Sequence, residues 1–158
     1  ITKIIADSIT SGAIANTPYF YATLSGNQTI GDGVNTKIAF NTASIDSNSA
    51  FDTSNNRFVV PSGQAGKYYF YAQLNSDSGD VEYIETTIAK NGDEVNYIMN
   101  NPSSSHSNLQ TNIATILDLA ASDYVELFTT SNQTSGNATI SAAVRGKNTY
   151  LLGFKILT

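Results

Sequence analysis

Cysteine is absent from the 158 residues. That excludes a disulfide framework and a thiolate metal site. It also argues against a small secreted animal module, a class that commonly depends on disulfides. Charge is scarce too: Asp, Glu, Lys and Arg make up 13% of the chain, about half the usual share of roughly 25%. Basic residues number 8 against 13 acidic ones, a net charge of −5 with a pI near 4.5. A nucleic-acid partner calls for a basic stripe, and an anionic membrane surface for a basic cluster. Neither partner is expected. No apolar run approaches the roughly 18 residues of a membrane-spanning helix, so membrane insertion is not expected. The chain opens at Ile1 with no leader and reads as a fragment or processed product whose N-terminal part is missing.

The place of charge is taken by Asn, Ser, Thr and Gln, while Val, Ile, Thr and Tyr supply strand-forming residues. Lys, Glu and Arg, which favour helices, are the types in short supply. The composition is therefore all-β. Segment 1–17 stands apart, with Ile at 1, 4, 5, 9 and 14 in no clean strand or helix period. It reads as a linker or the end of a fibre shaft, and 18–158 as one globular head. Strand-like runs then alternate with turns: Tyr19–Leu24, Val34–Phe40, Arg57–Pro61, Lys67–Leu74, Val81–Ala89, Glu94–Met99, Leu109–Leu119, Tyr124–Thr130, Ala138–Val144 and Thr149–Leu157. Between them lie Gly31-Asp32-Gly33, the cluster Asn75–Asp80 and the loop Asn101–Asn108. Residues 41–56 form a polar stretch anchored by Ile45 and Phe51. Asn91-Gly92 separates two strand-like runs, a strong hairpin signal because both residues tolerate positive φ. Short strands at this spacing predict a sandwich or jelly roll.

Several of these strands are apolar on both faces, although a sandwich strand needs only one apolar face for its own core. In Lys67–Leu74, Tyr68, Phe70 and Ala72 share one face, and Tyr69 and Tyr71 the other. In Tyr19–Leu24, Phe20, Ala22 and Leu24 oppose Tyr19 and Tyr21. In the last strand Tyr150, Leu152, Phe154 and Ile156 oppose Leu151 and Leu157. Contiguous exposed aromatic patches are unusual on monomers. The expected occupant is a second copy of the chain, with Tyr19, Tyr21, Tyr69, Tyr71, Leu151 and Leu157 in a homotrimer interface. Tyrosine suits an interface because its large ring carries a hydroxyl that still finds a hydrogen bond.

Six motifs in order resemble the globular head of complement 1q and its tumour-necrosis-factor-like relatives. They are Phe20-Tyr21-Ala22; Phe51-Asp52 with Phe58-Val59-Val60-Pro61; Gly66-Lys67-Tyr68-Tyr69-Phe70; Lys90-Asn91-Gly92; Ser122-Asp123-Tyr124-Val125-Glu126-Leu127; and Tyr150-Leu151-Leu152-Gly153-Phe154. Ser122 stands where the family has Gly, and no Gly-x-y repeat precedes the head. The resemblance implies a ten-stranded antiparallel jelly roll, a tight homotrimer, and recognition rather than catalysis. The cysteine-free, Asn/Ser/Thr-rich composition resembles the bacteriophage and bacterial fibre versions of the family more than the animal plasma ones.

Catalytic material is thin. The single His106 lies in a serine-rich loop with no nucleophile elbow, and no enzyme is expected. Asp77, Asp80, Ser104 and His106 are the candidate ligand contacts, being polar residues on loops. Asp77, Asp80 and Glu82 are the candidates for Ca2+, a cation that takes several oxygen ligands; otherwise no cofactor is expected. The leading expectation is a trimeric virion fibre head facing outward and binding a host-surface or environmental glycan or protein. A ligand-less trimerisation cap and a secreted cytokine-like ligand are the competing readings.

Overall fold

A computed structural model describes residues 16–77, 80–144 and 147–156. Fifteen strands run in chain order: β1 Tyr19–Thr23, β2 Gln28–Ile30, β3 Thr36–Lys37, β4 Thr42–Asp46, β5 Phe51–Asp52, β6 Arg57–Val59, β7 Gly66–Asn75, β8 Val81–Lys90, β9 Asp93–Asn100, β10 Gln110–Leu119, β11 Tyr124–Gln133, β12 Ala138–Ile140, β13 Ala143–Val144, β14 Lys147–Asn148 and β15 Tyr150–Lys155. One sheet has the order β10-β7-β15-β1-β4. The facing sheet has the order β5-β6-β11-β8-β9, with β3 also pairing β11. The short pairs β2–β12 and β13–β14 complete the described strands. The expected all-β jelly-roll sandwich is present. Among the described residues eight strands have five to ten residues and seven have two or three, and β2, β4, β5 and β14 lie outside the ten expected runs.

Alternation within β1 and β7 builds the core. Phe20, Ala22, Tyr68, Phe70, Ala72 and Leu74 point inward and are buried. They meet Phe51, Phe58, Ile84, Ile88, Val125 and Leu127 from the facing sheet. The Phe20 ring stacks 5.0 Å from Phe58 and lies 5.0 Å from Phe51, while Phe58 meets Phe70 edge-on at 5.5 Å. Burying each such ring is worth about 1.5–3 kcal/mol. Tyr68 keeps its hydroxyl satisfied by donating to the Gln64 carbonyl at 2.6 Å. Burial pushes that phenol up to about 12.

The last strand corrects one expectation. Leu151, placed by sequence in an intersubunit interface, is wholly buried in the chain's own core. Its register explains this, since Leu151 pairs with Ala22 and Ala72, both core-facing. Tyr150, Leu152 and Phe154 take the outer face instead. Leu157 lies outside the described residues.

The polar stretch 41–56 contains β4, an edge strand unforeseen in the sequence because Thr-Ala-Ser-Ile-Asp carries little apolar signal. The Asn91-Gly92 hairpin forms as expected, with both residues at positive φ and Lys90 paired to Asp93. Two of the four edge strands, β9 and β10, are clasped together. Asn96 and Asn100 of β9 donate side-chain N–H groups to the Ala114 and Gln110 carbonyls of β10, each at 3.1 Å.

The start of β1 and the end of β15 lie at one end of the sandwich, where Tyr19 faces Phe154. Lys155 donates its backbone N–H to Pro18 there. Loops 61–65, 91–92 and 120–123 share this base. Residues 75–77 and 80 and the loops 101–109 and 134–137 lie at the opposite, distal end.

Candidate functional site

The outer face of the first sheet carries three rows across its strands. The row nearest the base is Ile116, Tyr69, Phe154 and Tyr19. The middle row is Ala114, Tyr71, Leu152, Tyr21 and Ile45. The distal row, Asn112, Gln73, Tyr150, Thr23 and Thr42, is mostly polar. The rings interlock: Tyr69 lies 5.3 Å from Phe154, and Tyr150 lies 5.1 Å from Tyr21 and 5.8 Å from Tyr71. Tyr71 Oη donates to Asn112 Oδ1 at 3.0 Å. Partial burial, and after it the neighbouring Tyr71, raises the Tyr150 hydroxyl above its ordinary pKa. Ile116 is nevertheless 59% exposed and Tyr19 45% exposed. Four of the six residues expected at an interface, Tyr19, Tyr21, Tyr69 and Tyr71, share this face.

A second apolar patch was missed. Val95, Tyr97 and Met99 alternate outward along the edge strand β9, with Tyr97 60% exposed. The Val-x-Tyr-x-Met spacing was the available signal, since β9 has too few neighbours to cover that side.

The distal end holds a concave site of about 330 Å3 lined by Glu82, Tyr83, Asn101, Pro102, Ser103, Ser104 and Ser105. The loop 101–109 is pinned there by backbone bonds. His106 and Val81 exchange N–H···O bonds at 3.1 Å in both directions, and Ser76 donates to the Leu109 carbonyl at 2.8 Å. Asn132 Nδ2 donates to Glu82 Oε2, fixing that carboxylate at the rim.

Of the loop residues singled out by sequence, only Glu82 and Ser104 line this site. Asp77 instead accepts from Ser141 Oγ at 3.3 Å, and the Asp80 carbonyl accepts from Thr134. His106 contributes its backbone to the Val81 bridge. Asp77, Asp80 and Glu82 form no metal-binding cluster among the described residues. Tyr83 escaped notice because it sits inside an apolar strand run and reads there as core.

At the base, the Lys90-Asn91-Gly92 and Ser122-Asp123-Tyr124 motifs interlock. Asn91 Nδ2 donates to Asp123 Oδ1 and Tyr124 N donates to Asn91 Oδ1, both at 2.8 Å. Ala120 N donates to Asp123 Oδ2 at 2.8 Å, and Lys90 Nζ lies 3.0 Å from the same oxygen. These bonds, Asn91's first, hold Asp123 at about 2. The constellation is a structural clip.

With this geometry in view, the family profile described as the C1q domain matches residues 19–154. The chain belongs to the C1q domain family. The C1q domain's fold is similar to that of the globular domain of zebrafish complement 1qA protein, at 16% identity and TM-score 0.63, covering 89% of this chain and 98% of that one. Eiger TNF from S. frugiperda has 11% identity and TM-score 0.62, with 88% and 90% covered. Murine APRIL at pH 5.0 has 14% identity and TM-score 0.65, with 87% and 98% covered. No curated protein matches the chain. Domains of this family form trimers, bind receptors and are typically non-enzymatic and extracellular. No helix among the described residues is long and apolar enough to cross a membrane.

Proposed function

We propose that this C1q domain is a homotrimeric recognition head at the end of a virion fibre, presenting its distal loops to a ligand on a host surface or in the surroundings. The carrying observation is the pair of unlike apolar patches, the aromatic sheet face and the β9 edge. A chain with two different patches associates head to tail, which gives a ring where the rotation closes, and three is the number at which domains of this family close. The aromatic face of one protomer then receives the β9 edge of the next.

The fibre assignment is supported by composition and topology. The cysteine-free, charge-poor chain resembles fibre proteins, and the strand β1 begins at the base, where Pro18 meets Lys155. That geometry leaves the distal loops outermost. Three copies of a weak site gain about 10²–10⁴ in avidity. The test is adsorption to host cells by the trimeric head and by particles lacking it. Saturable binding by the head, together with impaired adsorption on deletion, is expected. Unchanged adsorption without the head, and no binding by it, overturns the recognition role and leaves a trimerisation cap.

A secreted receptor ligand is the second reading, favoured by the fold similarity to Eiger TNF and APRIL. Recovery of a signal peptide and Gly-x-y repeats in the full-length gene would establish it.

A further inference from the structure

We propose that the concave site formed by Glu82, Tyr83, Asn101, Pro102 and Ser103–Ser105 binds a neutral saccharide, one per protomer. The proposal rests on the recognition-head reading and names the site and ligand class within it.

The chemistry of the lining selects the ligand. Among the described residues, the side chains of Asn101, Ser103, Ser104 and Ser105 have no hydrogen-bond partner within the chain, and these four residues line one hollow. Small hydroxyls and an amide both donate and accept, which is what a ligand covered in hydroxyl groups requires. Tyr83 is half-buried and Pro102 is partly buried. Together they give the hollow an apolar component against which the C–H face of a sugar ring can lie. Glu82 adds one anchored acceptor, its second oxygen already held by Asn132. The volume of about 330 Å3 is at the lower end for small-ligand pockets, roughly 300–1,000 Å3, and suits a saccharide terminus rather than a long chain.

The charge of the hollow's own rim disfavours anionic ligands. Segments 75–81, 101–109 and 134–137 contain no Lys or Arg, while Asp77, Asp80 and Glu82 lie on or beside them. A sialylated, sulfated or phosphorylated ligand would meet carboxylates where it needs cations. The site is also held before any ligand arrives, because the Ile84–Asn100 ladder pair on one side and the His106–Val81 exchange on the other tie the lining segment to the sandwich. Little ordering cost therefore falls on binding.

The trimeric head is applied to a glycan array that carries neutral hexose and N-acetylhexosamine oligosaccharides beside sialylated and sulfated ones. Hits are titrated as methyl glycosides by saturation-transfer NMR. Signal confined to neutral glycans is expected, with loss of about tenfold or more in Glu82→Gln and Tyr83→Ser. Ser104→Arg, which fills the hollow from the solvent side without touching the core, serves if either of those unfolds. Mass and melting temperature are read on every variant. Binding to charged glycans, or neutral-glycan binding untouched by all three variants, overturns the site. Cell binding with no glycan signal overturns this inference and leaves the recognition head standing, whereas absence of both removes the recognition reading itself.

Discussion

Gly153 shows how tightly single residues are specified. A Cβ built there would lie 2.7 Å from Phe70 Cδ1 and 2.8 Å from Phe20 Cε1, with Phe70 Cε1 at 2.9 Å. Two core rings fill the space a side chain would need. Gly153→Ala is expected to destabilise the head by about 1–3 kcal/mol through overpacking, read as a lowered midpoint in chemical unfolding. Asp123 sets a pH limit. Its pKa of about 2 lies below the ordinary 3.8, so its ion pair and hydrogen bonds contribute stability above pH about 4. That contribution falls away as pH drops through about 2. Asp123→Asn should lower stability at neutral pH and flatten the unfolding free energy between pH about 4 and about 2. The residues that carried the family resemblance were legible for this reason. Phe20, Phe51, Phe58, Phe70 and Gly153 share one ring cluster, and Lys90, Asn91 and Asp123 share one clip. Each is demanded by packing or bonding, so the chemistry is written in residue type.

Among the elements, legibility followed contrast between faces. β7 reads correctly because Tyr68, Phe70 and Ala72 enter the core while Tyr69 and Tyr71 stay half-buried outside. β15 misleads because it is apolar at almost every position. Its parity is settled by partners on β1 and β7, far away in sequence, and by the space Gly153 leaves for Phe70. β4 was hidden by its polar composition. The distal pocket was hidden because it arises from a strand start and a loop about twenty residues later, with no motif to join them. The β9–β10 clasp predicts a measurable effect. Asn96→Ala and Asn100→Ala each remove a side-chain donor to an edge carbonyl, at a cost of about 1 kcal/mol apiece. Faster amide exchange along β9 and β10, with β1 unaffected, is the expected readout.

At the scale of the whole molecule, association and fold separate cleanly. Tyr69 and Phe154 face outward and contact each other rather than the core, so Tyr69→Asp and Phe154→Asp should leave the sandwich folded. In the homotrimer reading they dissociate three chains of 16.9 kDa, about 51 kDa in all, into monomers. Light scattering on a sizing column checks this, with circular dichroism to verify retained strand content. A parent protein that is already monomeric would remove the heterologous-ring account.

The position of the start of β1 at the base also has a mechanical meaning. β1 leaves that end and runs up the sheet between β15 and β4, with ladder hydrogen bonds perpendicular to its length. A tether pulling at the base against a ligand gripped at the far tip drags β1 lengthwise. Its bonds to both neighbours then carry the load together in shear, instead of opening one after another as in a peeled hairpin. In the proposed fibre reading, the domain is braced along the axis on which such a fibre would be strained.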